Sequence, residues 1–246
     1  MKTQALFCTL LGALLLSPAA QALDAATVLK TADAFRSGGA KQQQVDTEVR
    51  VLNADGTLDK ERRYTVLTQT DHRSLVLMQS PAEKGQKVLM LGDDFWLLMP
   101  SSQRPLRITP LQKLLGDAST GDVATLSWSE DYSGELQGEE RCGELPCLKL
   151  ALQATRKGVS YQRITLWVGK TRHEPLRAEL YVQSDKLAKT AEFRYEKNGQ
   201  LISEMLLQDA LSQRKQTQVR YLARKNREAP EAWFNPMFLA RSPNLE

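Results

Sequence analysis

Residues that could carry acid–base or nucleophilic chemistry are few in this chain, and they do not form a known catalytic motif. The chain has two histidines, His72 in a predicted turn and His173. The glutamate after His173 does not lead to a second histidine in the zinc-protease pattern His-Glu-x-x-His. The nucleophile motif Gly-x-Ser-x-Gly is also missing from the sequence. These patterns argue against a hydrolase.

Two further clusters have the composition of a catalytic or phosphate site but the wrong arrangement. Gly116 to Gly121 has the outer spacing of a phosphate-binding loop, but Asp122-Val123 replaces the Lys-Ser/Thr pair that such a loop requires. Glu130-Asp131 and Glu139-Glu140 are paired carboxylates, and adjacent residues of a strand point to opposite faces. We therefore expect no catalytic residue, no metal, no cofactor and no enzymatic activity. An unrecognised hydrolase is the least favoured alternative.

Cys142 and Cys147 are the two cysteines outside the N-terminal leader. A zinc site needs two more ligands than this pair supplies, and a redox-active pair has two intervening residues where this one has four. An oxidising compartment favours a structural disulfide. We predict that these cysteines are bonded and pin a hairpin turn.

The N-terminus has the features of a secretory signal peptide. Lys2 precedes an apolar run, Ala5–Leu16, and Ala20-Gln21-Ala22 supplies the small residues of a cleavage site. The apolar run is shorter than the roughly 20 residues that a membrane span needs. Cys8 lies inside this run and not after the cleavage site, so we expect a soluble product and not a lipoprotein. Residues 1–22 are predicted to be removed, which places the mature protein in the periplasm of a Gram-negative cell.

The charge pattern makes nucleic acid an unexpected partner. The formal net charge of +4 is mild for a chain of this length. The densest basic stretch lies between residues 214 and 227. We interpret it as a solvated edge strand that discourages pairing with other sheets. The alternative is peripheral contact with an anionic membrane surface.

The periodicity of apolar residues predicts one mainly β domain, residues 23–246, with a few helices. Residues 25–35 have helical spacing and end at Ser37-Gly38-Gly39, and residues 45–222 mostly alternate with period two. About twelve strands joined by short turns indicate an antiparallel sheet. Short helices are expected at 110–116 and 230–239, the second with an apolar anchor made of Trp233, Phe234, Met237 and Phe238.

Three predicted strands, at 75–78, 88–91 and 95–99, are apolar at consecutive positions, so both of their faces need cover. Helices packed on one face of the sheet and loops on the other would cover both faces of these strands. The alternative is a concave face that stays open for an apolar ligand. Flexible methionines at 78, 90 and 99 are suited to such a face.

The block from Gly85 to Ile108 resembles the outer membrane lipoprotein-sorting protein family, the relatives of the LolA-like carriers. A strand ending in Gly92-Asp93 is followed by a strand centred on Trp96, by Pro100-Ser101, and by Arg104-Pro-Leu-Arg-Ile. The segment 116–123 and Asp131-Tyr132 are similar to the loop that follows in that family.

The resemblance implies an incomplete antiparallel barrel, a half-barrel, with helices covering its concave face and an apolar cavity for acyl chains. We expect Trp96 and Leu98 to share one face with Val88 and Met90, while Phe95, Leu97 and Met99 lie on the other. The expected cavity residues are Leu75, Leu77, Val88, Met90, Trp96, Leu98 and Trp167.

The function that the resemblance implies is a monomeric carrier or chaperone. It would pass a lipoprotein or lipid toward the outer membrane and be loaded by an inner-membrane transporter of the ABC or RND type. The alternative is an accessory subunit that senses lipids or lipoproteins for a transporter or an envelope-stress pathway.

Overall fold

Antiparallel strands make up most of the molecule. The computed structural model describes residues 23–102, 104–124, 127–210, 215–241, 243 and 245, and the predicted signal peptide lies outside them. The strands of the described residues are β1 (Gln43–Asn53), β2 (Leu58–Gln69), β3 (Arg73–Met78), β4 (Lys87–Leu91), β5 (Asp94–Leu98), β6 (Leu106–Ile108), β7 (Lys113–Leu115), β8 (Ala118–Ser119), β9 (Tyr132–Cys142), β10 (Leu145–Ala154), β11 (Arg163–Gly169), β12 (Pro175–Tyr181), β13 (Leu187–Tyr195), β14 (Ile202–Asp209) and β15 (Lys215–Asn226).

Thirteen of these strands form one sheet that does not close on itself. Their order is β6-β5-β4-β3-β2-β1-β15-β14-β13-β12-β11-β10-β9, and β7 pairs with β8 in a separate small sheet. Every pairing in the main sheet is antiparallel, as short turns between strands require. β6 and β9 are the two edges. The predicted fold class, a mainly β half-barrel, is confirmed.

The helices are short and lie on the faces of the sheet. They are α1 (Ala25–Ser37), α2 (Thr120–Ala124), a 3-10 helix η1 (Glu231–Phe234) and α3 (Pro236–Ala240). The carboxylate of Asp24 caps α1 by accepting from the amide of Thr27 at 3.3 Å. Gly38 ends α1 with a φ of 65°, and its amide donates to Ala34 O at 2.8 Å. The predicted N-terminal helix and its stop are confirmed.

Two predicted helices differ from the structure. Residues 113–115 form strand β7 within the stretch expected to be helical, because this part of the chain pairs with β8. The C-terminal helix is interrupted at Asn235, whose side chain caps a separate helix α3. Trp233 and Phe234 are buried as expected, but Met237 is 60% exposed, and Leu239 and Ala240 complete the anchor instead.

The basic stretch near the C-terminus is not an edge strand, so that prediction is wrong. β15 lies between β1 and β14 in the middle of the sheet. Arg220 pairs with Glu48 of β1 at 2.7 Å, and Arg224 pairs with Glu196 at 3.4 Å. Partners that are distant in sequence neutralise these cations. The composition of a single strand does not reveal those partners.

The main sheet has two differently covered faces. We call the face that packs against α1 and α2 the inner face, and the opposite one the outer face. The inner face joins strands from both halves of the sheet in one large apolar cluster. The outer face of β2 to β5 is covered by the C-terminal segment, residues 229–240, in a second cluster. The expectation that three apolar strands need cover on both sides is confirmed.

The predicted disulfide is confirmed. Cys142, at the end of β9, and Cys147, in β10, are bonded, with their Cα atoms 5.9 Å apart. Cys142 pairs with Leu145 and Cys147 with Glu140 in the antiparallel register. The bond therefore pins the hairpin that forms one edge of the sheet.

Candidate binding site on the inner face of the sheet

The expected cavity residues of β3 to β5 are divided between the two faces. Side chains alternate along each strand as predicted, but the register pairs Trp96 with Leu89 and Phe95 with Met90. Val88 and Met90 therefore lie on the inner face with Phe95. The remaining expected residues, Leu75, Leu77, Trp96 and Leu98, lie on the outer face under the C-terminal segment.

The grouping of Trp96 and Leu98 with Val88 and Met90 is thus wrong, and the reason is geometric. Residues opposite each other in an antiparallel pair share a face, so the strand register decides which alternating sets combine. Leu98 is 1% exposed because it packs in the outer cluster with Trp233 and Leu239. The inner set of β5 is Phe95 and Leu97.

Trp167, another expected cavity residue, also lies on the outer face, because side chains alternate along β11 and its neighbours belong to the inner cluster. It is flanked by two cations, with the Arg177 guanidinium 3.7 Å and the Lys149 ammonium 5.4 Å from its ring centroid. Its indole N–H donates to Glu140 Oε2 at 2.8 Å. These contacts hold Trp167 in a polar layer, while its neighbours Leu166 and Val168 belong to the inner cluster.

The inner face includes apolar residues that the sequence reading did not select. Ile164, Leu180, Phe193 and Met205 come from β11 to β14 and line one enclosed cavity, together with Trp128. Trp128 packs edge-to-face on Phe193, with ring centroids 5.7 Å apart. The sequence shows the alternation of apolar residues within each of these strands. It does not show that a segment distant in sequence covers them and places them in the interior.

That cover is provided by a segment that folds into the concavity. We call residues 118–124, which comprise β8 and α2, the plug. Ala118, Val123 and Ala124 of the plug are almost fully buried against the inner face. Their side chains are small, so the plug contributes little apolar area for a buried segment. With the plug in place the enclosed cavity is only about 50 Å³.

The plug is fixed to the sheet by a buried carboxylate. Asp122 Oδ2 lies 2.7 Å from Lys189 Nζ on β13, and Asp122 Oδ1 accepts from the Tyr161 hydroxyl at 2.8 Å. Within the plug, the amide and hydroxyl of Ser119 donate to Asp122 at 2.8 and 2.7 Å. Burial raises the pKa of Tyr161 well above its ordinary value, and the charge of Asp122 adds to this effect, so Tyr161 is a neutral donor. The side chains of Asp122 and Lys189 are only 4% and 6% exposed.

The segment after the plug is held by α1. Asp33 accepts hydrogen bonds from the amides of Trp128 and Ser129, at 2.7 and 2.8 Å, and from the Ser127 hydroxyl at 3.0 Å. The Arg36 guanidinium, one turn along α1, lies 4.1 Å from the Trp128 ring centroid. α1 therefore positions Trp128 over the inner face.

Four polar residues join the two arms of the half-barrel, and we call them the clasp: His72, Asp93, Asp131 and Arg156. Arg156 Nη2 lies 2.7 Å from Asp93 Oδ1, and Arg156 Nη1 lies 2.8 Å from Asp131 Oδ1. His72 Nδ1 lies 3.2 Å from the same Asp131 oxygen. His72 lies in a turn, as predicted, with a φ of 53°, and it also contacts this carboxylate.

A groove opens beside the clasp and leads to the inner face. Its volume is about 750 Å³, and it lies between α1, the β2–β3 turn, Ala124 and residues 127–131. Met90 and Ala124 are in its apolar lining, while Lys30, Lys41 and Arg73 are among its polar lining residues. An amphiphile in this groove would contact the inner face at Met90 and polar groups elsewhere.

In the described part of the chain, no helix has the length and apolarity to cross a membrane. Within the same residues, no cluster of three or more His, Cys, Asp or Glu side chains is placed to hold a metal ion.

Comparison with known proteins identifies the class to which this open half-barrel belongs. A family model described as "-like: Uncharacterized protein" matches residues 70–241. No curated protein sequence matches the chain. A solved LolA superfamily protein from Nitrosomonas europaea is 30% identical with a TM-score of 0.78, over 87% of this chain and 98% of that one. The chain belongs to the LolA superfamily.

Two further solved structures share the fold at lower identity. A DUF1329 family protein from Desulfovibrio piger is 22% identical with a TM-score of 0.69, over 85% of this chain and 95% of that one. A putative outer membrane lipoprotein-sorting protein domain from Vibrio parahaemolyticus is 19% identical with a TM-score of 0.68, over 88% and 98% of the two chains. The resemblance found in residues 85–108 therefore extends to the fold of most of the chain.

Proposed function

We propose that this protein is a periplasmic carrier that holds the acyl chains of a lipid or lipoprotein against the inner face of the sheet and catalyses no reaction. The observation that carries the proposal is the continuous apolar inner face, which runs from β2–β5 to β10–β15 and packs against α1 and the plug. Membership of the LolA superfamily supports the proposal.

Acyl chains cannot cross an aqueous compartment without cover, because each exposed methylene costs about 0.8 kcal/mol. The enclosed cavity of about 50 Å³ is too small for them, since ligand pockets usually exceed about 300 Å³. The groove of about 750 Å³ reaches the inner face at Met90 and Ala124, and a chain that lies further along this face requires the plug to leave. Ala118, Val123 and Ala124 are the apolar side chains of the plug that lose their contacts in that step, and a chain of ten or more methylenes buries more apolar area than these three side chains.

The same balance allows release without an energy source. The plug competes with the cargo for one apolar surface, so the protein is never left with an uncovered interior. A carrier of this kind can pass its cargo to a receptor that buries the chains somewhat better.

The cargo route forms part of the proposal. We infer that an inner-membrane transporter of the ABC or RND type loads the carrier, and that the cargo moves toward the outer membrane. The carrier acts as a monomer with peripheral membrane contact, and nucleic acid is not a partner. The similarity to the outer membrane lipoprotein-sorting domain from Vibrio parahaemolyticus supports this direction.

The test is to purify the tagged protein from the periplasmic fraction under mild conditions and to analyse its organic extract by mass spectrometry. A periplasmic protein of similar size without an apolar interior, purified in parallel, controls for adhering lipid. We expect stoichiometric lipid or lipoprotein in the extract, and an N-terminus at Leu23. A lipid-free protein that also fails to bind a fluorescent fatty acid would contradict the proposal, and a tight transporter complex without lipid would favour the sensing subunit.

A further inference from the structure

The plug places a carboxylate where the apolar inner face carries a cation. Lys189 lies on the inner side of β13, in line with Ala191 and Phe193, and its side chain is 6% exposed. Asp122 is its carboxylate partner at 2.7 Å. A buried ion pair is an unusual feature of a surface that is otherwise suited to acyl chains.

The four donors to Asp122 divide into two groups that would separate if the plug left. Ser119 belongs to the plug and would move with Asp122, keeping both of its hydrogen bonds. Lys189 and Tyr161 belong to the sheet side and would remain. Lys189 would then be a desolvated cation beside apolar walls, which is a costly arrangement unless an anion replaces the carboxylate.

We propose that Lys189 and Tyr161 form a subsite for an anionic group on the cargo, and that Asp122 occupies this subsite in the empty protein as an internal stand-in. This inference rests on the proposed function, because it assumes that acyl chains bind the inner face. It makes the preferred ligand a long-chain amphiphile with a carboxylate or phosphate, and it disfavours an uncharged one of equal length.

The surroundings of the subsite fit such a ligand. The small cavity that Asp122 and Tyr161 line is also lined by Arg36 and by Leu180, Phe193 and other apolar residues. An anionic oxygen in the place of the Asp122 carboxylate, within reach of Lys189 and Tyr161, would thus have apolar side chains nearby for the adjoining chain. Tyr161, being neutral, would donate to that oxygen as it now donates to Asp122.

The experiment measures displacement of a neutral naphthylamine dye by palmitic acid, hexadecyl phosphate and hexadecanol, which share one chain length. We expect the two anions to bind wild type about tenfold tighter than the alcohol, as one charge-assisted contact implies. The anion that binds with the higher affinity, palmitate or hexadecyl phosphate, indicates whether the cargo carries a carboxylate or a phosphate. Lys189→Met should abolish the preference for anions, while Lys149→Met, on the outer face, should keep it.

Asp122→Asn provides a second variant with the opposite expectation. It removes the internal competitor but leaves Lys189, so the anions should bind several-fold tighter than they bind wild type. A merely structural ion pair would not make the two substitutions act in opposite directions. Equal binding of all three probes, a preference that survives Lys189→Met, or no gain in Asp122→Asn would overturn the subsite and leave the carrier intact. Failure of every probe to bind wild type would overturn the proposed function and the subsite together.

Discussion

Asp93 and Arg156 join two parts of the chain that lie near opposite edges of the sheet. Asp93 follows β4, and Arg156 lies between β10 and β11; in the strand order β5 is next to one edge and β10 next to the other. Asp93 Oδ1 also accepts from the Gly158 amide at 3.0 Å, and a Cβ added to Gly158 would overlap the Asp93 backbone. The close approach shows that the sheet coils until its two arms touch, although its edge strands do not pair.

The first prediction is that the clasp slows the opening of the half-barrel. Arg156→Gln removes the bridge between Asp93 and Asp131, so a fluorescent fatty acid should enter and leave about tenfold faster, as expected for a loss of about 1.4 kcal/mol. Stopped-flow fluorescence measures both rates. Arg163→Gln is the matched control, since it breaks an arginine–aspartate pair with Asp185 that does not join the arms. Equal rates in the two variants would contradict the role of the clasp.

The second prediction concerns acid. Burial alone would raise the pKa of Asp93, but hydrogen bonds from Arg156 and Gly158 outweigh it and hold the pKa below the ordinary 3.8. A lowered pKa means that the contribution of Asp93 is complete above about pH 3.8 and is lost as the pH falls through its folded value. Exchange of the Gly158 amide, corrected for intrinsic rates, should therefore accelerate only in strong acid. In Asp93→Ala, which lacks the acceptor of the Gly158 amide, exchange should be fast at every pH; protection that persists in this variant would contradict the assignment.

Features of the fold that depend on local patterns could be predicted from the sequence. Alternation within Phe95–Leu98, the end of α1 at Gly38 and the Cys142–Cys147 hairpin depend on neighbouring residues, and the structure confirms each of them. The face that each alternating set occupies was not predictable, because the strand register and the covering segment decide it.

The candidate site was less predictable for the same reason. Asp122 and Lys189 are 67 residues apart, and each alone has the appearance of an ordinary surface charge. In the sequence, Asp122 appears only as a departure from the phosphate-loop pattern. The basic residues of β15 gave no indication that Glu48, far away in sequence, would pair with Arg220 and place this strand at the centre of the sheet.

The third prediction tests the disulfide. Replacing Cys142 and Cys147 by serine should lower the free energy of unfolding by about 2 kcal/mol, because the closed loop is short. Urea denaturation measures this loss, and the same experiment on wild type with a reductant should reproduce it. The unreduced, denatured wild type should contain no reactive thiol in its mature chain. Two titratable thiols would contradict the bond.

The fourth prediction uses the four tryptophans to locate the ligand. Trp128 lies on the inner side, whereas Trp96, Trp167 and Trp233 lie on the outer side of the sheet. A brominated fatty acid should therefore quench Trp128 alone, since bromine quenches at short range. Trp128→Phe should remove the quenching, and Trp167→Phe should retain it. Quenching that depends on Trp96 would instead place the chains under the C-terminal segment.

The fifth prediction separates packing from binding on the two faces of neighbouring strands. Leu98→Ala leaves a cavity in the outer cluster beside Trp233, and it should cost about 2–4 kcal/mol of stability. Fatty-acid affinity should not change, because this side chain does not face the proposed site. Met90→Ala lies on the inner face near the groove and should weaken binding by about 1–2 kcal/mol. Thermal unfolding and dye displacement on both variants measure the two effects, with circular dichroism as the control for folding. If Leu98→Ala weakened binding more than Met90→Ala in folded protein, the ligand would occupy the outer face, and the inner-face assignment would be wrong.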